Sequence, residues 1–205
     1  MPKPITEKKV ELPIHFIRAA VDSTSFNKEK RTIELVWTTG AKGLRYGWDG
    51  KFYEELSLDP KHVRMTRLES GSTPFVDAHS SWTNRAVLGV VESAKLTATG
   101  GTATVRLCDP DTLENPDAKD TIRKIESGIL KNISVGYNVM RFERQPSVEG
   151  EDIPTFLAVD WEPVEISVVP IGFDMGAGVR GQERGSQPCI FINNVSEKRS
   201  EKEGN

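Results

Sequence analysis

The sequence predicts a β-rich α+β fold, a closed or partly closed antiparallel β-barrel with a few peripheral helices, and three observations lead there. Many short runs alternate apolar and polar residues with a period of two, separated by glycine, proline and polar turns. Only one segment joins helical spacing to both end signals of a helix. So many strands leave unprotected edges unless the sheet curls on itself, which favours a curved or closed barrel.

The elements follow in chain order. Residues 12–21, LPIHFIRAAV, read as a first strand, and 31–37, RTIELVW, as a second with Ile33, Leu35 and Trp37 on one face. TTGAKGLRYGWDG reads as loop because glycines recur among polar residues. KFYEELSL fits a strand or a short helix, and VRMTRL (63–68) a short strand ahead of the turn ESGSTP. PFV begins another short strand, followed by a polar loop and a strand over 86–93. That strand forms a hairpin with TATVRL (102–107) across TATGG.

Asn115 to Gly128 is the helix. Asn115 suits the N-cap, Pro116 the first turn and Asp117 the positive end of the helix dipole. Ala118, Ile122 and Ile125, with Ile129 just beyond, make one apolar face, and Gly128 supplies the stop. In GILKNISVGYNV the residues Ile133, Val135, Tyr137 and Val139 then alternate with Asn132, Ser134, Gly136 and Asn138. After the polar loop RFERQPSVEGEDIP, TFLAVDWEPVEISVVP gives one or two strands. Val164, Ile166 and Val168 point one way there, and Glu165 and Ser167 the other.

With 205 residues, the chain is expected to hold one domain over 1–175 and a flexible C-terminal tail over 176–205, broken only by the apolar run CIFI. Apolar residues make up 37% and charged residues 28%, the balance of an ordinary soluble protein. No apolar run is long enough to cross a bilayer, and the first residues lack the apolar middle of a signal peptide. A net charge of −3 without a Lys/Arg block argues against nucleic acid as partner. Cys108 and Cys189 fit neither a disulfide framework nor a zinc knuckle and read as buried or incidental thiols in a reducing compartment.

Three polar residues stand in apolar settings: His79 after PFVDA, Ser134 within its strand, and Glu165 within VEISVV. A serine hydroxyl becomes a useful nucleophile when a histidine removes its proton, and an acid orients that histidine. The bland alternatives are a solvent-facing Ser134, a His79 bonded to Asp77 or a carbonyl, and an outward Glu165 balancing an arginine. A Cys108 nucleophile lacks a neighbour to activate it. A metal site at Asp77 and His79 lacks a helix-spaced ligand pair.

PFVDAHSSWTNRAVLGVVESAKL, IESGILKNISVGYNV and WEPVEISVVPIGFD together resemble the prohead maturation proteases of tailed bacteriophages, serine peptidases that process the capsid scaffold. The resemblance runs over about residues 15–175. The serine segment, which follows a G-x-[LIV]-x-x-x-S-[VI]-G-[YF] pattern, is its most specific part.

The resemblance implies a fold like that of the herpesvirus capsid proteases, with His79 as general base, Ser134 as nucleophile and Glu165 as third member. Asp77, Asp160 and Glu162 remain alternatives to Glu165. It implies a scaffold protein, or the scaffolding arm of the major capsid protein, as substrate, with self-cleavage in the tail. It implies no cofactor or metal, action inside the assembling prohead in the host cytoplasm, and by analogy a homodimer. One departure is VDAHSSW around the histidine, where the family more often has Asn before and Asp after, which leaves the contacts that orient His79 open. Arg85 and backbone N–H groups near the serine are both open as oxyanion donors. Gly136 is expected to clear space for the approaching peptide, and the helix to pack beneath the serine strand.

Overall fold

The computed structural model describes residues 6–12, 15–21, 25–47, 50–146, 150, 152–170 and 187–193. These form β1 (Thr6–Leu12), β2 (His15–Val21), β3 (Thr32–Thr38), β4 (Gly43–Gly47), β5 (Gly50–Leu56), α1 (Thr66–Glu69), β6 (Pro74–Asp77), β7 (Val87–Thr97), β8 (Gly100–Leu107), α2 (Pro116–Glu126), β9 (Asn132–Arg144), β10 (Thr155–Val168) and β11 (Gln187–Asn193). The strands hydrogen-bond in the order β1-β11-β9-β2-β3-β8-β7-β6-β10-β5-β4, and β9 pairs in addition with β10.

That order narrows one expectation and corrects another. It has two ends, β1 and β4, so the described sheet as a whole is not a closed cylinder. It is also mixed, because β10 runs parallel to β5 and β6, and β11 runs parallel to β9. Both follow from strand length. At 13 and 14 residues, β9 and β10 outrun their neighbours, so successive stretches of one strand edge pair with different partners. β9 pairs with β2 over Asn132–Tyr137 and with β11 over Arg141–Glu143. β10 pairs with β5 over Thr155–Ala158 and with β6 over Ile166–Val168.

The alternating pattern sets the core face. Ile33, Leu35 and Trp37 of β3, Ile133, Val135 and Tyr137 of β9, and Ile166 and Val168 of β10 are all buried in one cluster. Trp161 joins Trp37 and Tyr137 there at ring-centroid separations of 6.0 and 5.7 Å, and its indole N–H donates to the Ser57 carbonyl. Beside it, Tyr137 donates its phenolic hydrogen to buried Glu54 and accepts from Arg45 at 2.8 Å, and burial pushes the Tyr137 phenol well above its ordinary range.

Helix α2 is capped as its sequence implies. The Asn115 side chain accepts from the Asp117 N–H, and Ala118, Ile122 and Ile125 are buried. Gly128, at φ 71°, closes the helix with the paired Ile129 N–H to Lys124 and Gly128 N–H to Ile125 bonds of a Schellman end. Ile129 itself departs from the apolar face, at 72% exposed, because the left-handed turn at Gly128 swings the chain off the helix axis.

Several boundaries differ from the expected ones. The charged stretch TEKKVEL forms β1, and the glycine-bearing segment read as loop contains β4, since backbone pairing needs no apolar alternation, while KFYEELSL takes the strand alternative as β5. VRMTRL is not a strand: Val63 makes a single bridge to Trp161, and Thr66–Glu69 is helical. Residues 187–193 of the expected tail form β11, between β1 and β9. Phe191 draws that strand in by packing 4.9 Å from Phe142 and 5.1 Å from Phe156, with Cys189 buried nearby. The rest of the expected tail, 176–186 and 194–205, which includes most of the anticipated self-cleavage segment, lies outside the described residues.

Candidate active site

β6 delivers His79. It lies between β7 and β10, with Val76 opposite Ser167 and Asp77 opposite Val168. The chain then turns sharply: Ala78 and His79 have φ of 44° and 60°, a left-handed conformation that costs a non-glycine residue about 1 kcal/mol or more. Specific bonds hold it. The Ala78 N–H donates to the Val168 carbonyl at 2.9 Å, the Ser80 N–H to the Asp77 carbonyl at 2.8 Å, and the His79 N–H to Ser167 Oγ at 3.2 Å. Backbone strain retained at a half-buried histidine marks a residue whose placement the surrounding structure enforces.

Glu165 is the carboxylate that His79 meets. It is 4% exposed, and its Oε1 bonds to His79 Nδ1. The Ser167 hydroxyl donates to the same oxygen at 3.2 Å. A carboxylate only accepts, so Nδ1 carries the hydrogen in this pair, and in the neutral imidazole Nε2 is then the acceptor nitrogen. Glu165 Oε2 is sealed from solvent with no hydrogen-bond partner among the described residues. The other acids weighed for this place are engaged elsewhere. Asp160 makes a two-pronged pair with Arg64 at 2.7 Å, Glu162 lies 3.6 Å from Arg67, and Asp77 accepts from Thr121 Oγ1 at 3.2 Å.

Ser134 sits one strand away. On β9 it stands directly opposite Ser167, as Gly136 stands opposite Glu165, so all four residues share one sheet face. Directly opposed residues have Cβ atoms about 4.5–5.5 Å apart. Ser134 therefore adjoins the Ser167 hydroxyl that holds both His79 and Glu165. At 4% exposed it is not the solvent-facing strand serine of the bland alternative. Its hydroxyl makes no hydrogen bond among the described residues. The fold thus joins His79 to Glu165 and sets Ser134 beside them. Among the described residues no hydrogen bond links Ser134 to His79.

Two supporting roles differ from expectation. A Cβ on Gly136 would lie 2.7 Å from Glu165 Cγ and 2.9 Å from its Oε1, so this glycine makes room for the acid. Helix α2 packs chiefly against β7 and the 110–112 turn. Through Thr121 it secures Asp77 at the base of the His79 turn, where it had been expected beneath β9.

Sequence reasoning also missed Ser167 as a working part of the site. The signal was present: Glu165 and Ser167 alternate onto the face opposite the apolar row, as Ser134 and Gly136 do. A second serine–histidine contact went unnoticed as well. Ser57 Oγ lies 2.7 Å from His62 Nδ1, but the pair is local, its hydroxyl also accepts from the Asp59 N–H, and no carboxylate bonds to His62 among the described residues. It reads as a turn stabiliser. Arg85 is exposed, and its carbonyl accepts from Asn115. Cys108 is half-buried and Cys189 buried, both free thiols, and desolvation pushes Cys189 up to about 12.

Over 120 residues, 57% of the chain, the sequence is 31% identical to the major capsid protein of Halomonas phage phiHAP-1, and the match takes in 18% of that protein. The chain therefore spans less than a fifth of the curated relative it matches. No family model matches the chain, and no solved structure matches it.

Proposed function

We propose that this chain is a serine endopeptidase of phage capsid maturation, with Ser134 as nucleophile, His79 as general base and Glu165 as the orienting acid. The observation that carries the reading is the convergence of His79 and Glu165, 86 residues apart, on the sheet face where Ser134 stands opposite Ser167. The similarity to a phage capsid protein supports the capsid setting. The β9–β10 pairing also supports a partly closed barrel, because it links two strands that the strand order leaves far apart.

In this mechanism Ser134 Oγ attacks the scissile carbonyl carbon while His79 Nε2 takes the hydroxyl proton. Glu165 accepts the Nδ1 hydrogen throughout and stabilises the imidazolium. Collapse of the tetrahedral species breaks the C–N bond, and the proton passes from Nε2 to the leaving amine. Water, deprotonated by the same nitrogen, then releases the acyl group and restores Ser134. Catalytic hydrogen bonds of an empty site tighten when substrate binds, so the His79 to Ser134 bond belongs to the loaded state. The substrate is a scaffold protein or the scaffolding arm of the major capsid protein, cut inside the assembling prohead in the host cytoplasm, and the chain's own C-terminal region is a further target.

Co-expression with the scaffold and capsid proteins of the same phage tests this. Wild-type chain should cleave them and react with a serine-directed fluorophosphonate, and Ser134→Ala should do neither. Equal cleavage by both proteins would remove Ser134 from the mechanism. The second reading, a catalytically silent β-rich domain that binds capsid or scaffold protein, is favoured by the relative's own description as a capsid protein. It is separated by binding without labelling or cleavage, whereas turnover of small esters alone would point to a different hydrolase.

A further inference from the structure

We propose that Ser167 is a positioning residue of this site, a hydroxyl that locks the histidine turn and the acid into one unit; the proposal rests on the peptidase reading above. Ser167 is fully buried, and its one hydrogen and one of its lone pairs are both committed to the site. It donates to Glu165 Oε1 at 3.2 Å and accepts the His79 N–H at 3.2 Å. No other side chain among the described residues is shown bonding to both. The arrangement addresses two costs at once. The left-handed backbone at Ala78 and His79 needs an anchor, and the His79 N–H is that anchor's donor. Glu165 Oε1 must hold its direction toward Nδ1 while Oε2 has no partner among the described residues to steer the carboxylate.

The register adds the reason for this position. Ser167 lies opposite Val76 on β6, two residues before the turn begins, and opposite Ser134 on β9. One side chain therefore touches the strand that carries the base, shares its own strand with the acid, and faces the nucleophile. An alanine there keeps the strand and removes both bonds. A threonine restores the hydroxyl and adds one methyl.

The experiment compares wild type, Ser167→Ala and Ser167→Thr in the full chain. Cleavage of a scaffold-derived peptide is followed across pH, together with the downfield Nδ1 proton resonance of His79, assigned by its loss in His79→Gln. Loss of one neutral and one charge-assisted hydrogen bond should lower kcat by roughly 10- to 100-fold in Ser167→Ala. KM should hold, the pH profile should shift, and the downfield resonance should move or vanish. Ser167→Thr should recover a substantial part of each. Unchanged kcat, pH profile and resonance in Ser167→Ala, whatever its melting temperature, overturns the proposal. A wild type that cleaves nothing but whose His79 resonance still responds to Ser167 counts against the peptidase reading and leaves the positioning role standing.

Discussion

Gly136→Ala is the sharpest test of how the site is packed. The added Cβ would stand 2.7 Å from Glu165 Cγ, 2.9 Å from Oε1 and 3.2 Å from Cδ. Carbon atoms pack at about 3.5–4.0 Å, so the acid must retreat by about 1 Å. Glu165 is 4% exposed and has no open space to retreat into. Such a shift carries its 3.2 Å contact with Ser167 past hydrogen-bond range and misdirects the bond to His79 Nδ1. Misplacement by about 1 Å costs roughly 100-fold in rate. Overpacking costs about 1–3 kcal/mol, and removing a flexible glycine returns about 0.5–1 kcal/mol, which leaves roughly 0–2.5 kcal/mol. For a chain of this size that is a fall of up to about 10 °C in Tm.

The assay measures cleavage of a scaffold-derived peptide well below the melting range, beside a thermal melt. Gly43→Ala is the control, because a Cβ there meets nothing within 4 Å: it should leave the rate unchanged and hold Tm or raise it by about 1–4 °C. Wild-type cleavage by a folded Gly136→Ala would refute the argument that this glycine exists to seat Glu165. A rate loss no larger than that of Gly43→Ala would refute it equally.

Three further outcomes are expected. Ser134→Ala should eliminate cleavage and fluorophosphonate labelling while Tm stays within about 2 °C, since its hydroxyl makes no hydrogen bond among the described residues. Asn115→Ala removes the cap that accepts from the Asp117 N–H and should cost about 1 kcal/mol in a denaturant titration, with the rate at saturating substrate little changed. Cys189 keeps its proton in the folded protein to about pH 12, whereas the unfolded chain loses it near 9.0. The folded state thus binds the extra proton between those values, so stability is flat below about pH 9 and falls by up to ~1.4 kcal/mol per pH unit above it. Cys189→Ala should flatten that part of the pH–stability curve, and Cys189 should resist alkylation at pH 8 until the chain is unfolded.

Local pattern carried much of this protein. Alternation set which faces of β3, β9 and β10 turn to the apolar core, because a strand sends successive side chains to opposite sides whatever lies across from it. The cap at Asn115 and the left-handed stop at Gly128 are likewise readable, since each depends on residues within one helical turn. β1 and β4 showed little alternation to read, because backbone pairing to β11 and β5 sets them as strands. β11 needed more than its own apolar run. It became a strand when Phe191 found an aromatic pocket built by β5, β9 and β10.

The site divides in the same way. Residue type and alternation singled out His79, Ser134 and Glu165, but several carboxylates fitted the third place until the register put Glu165 opposite Gly136 and across from His79. Ser167 as the common hydrogen-bond partner, Gly136 as the acid's clearance and α2 as the brace for Asp77 all depend on pairings between distant strands. One-dimensional pattern fixes which way a side chain points; what it touches is decided only when strand lengths, register and the strained turn at His79 close together.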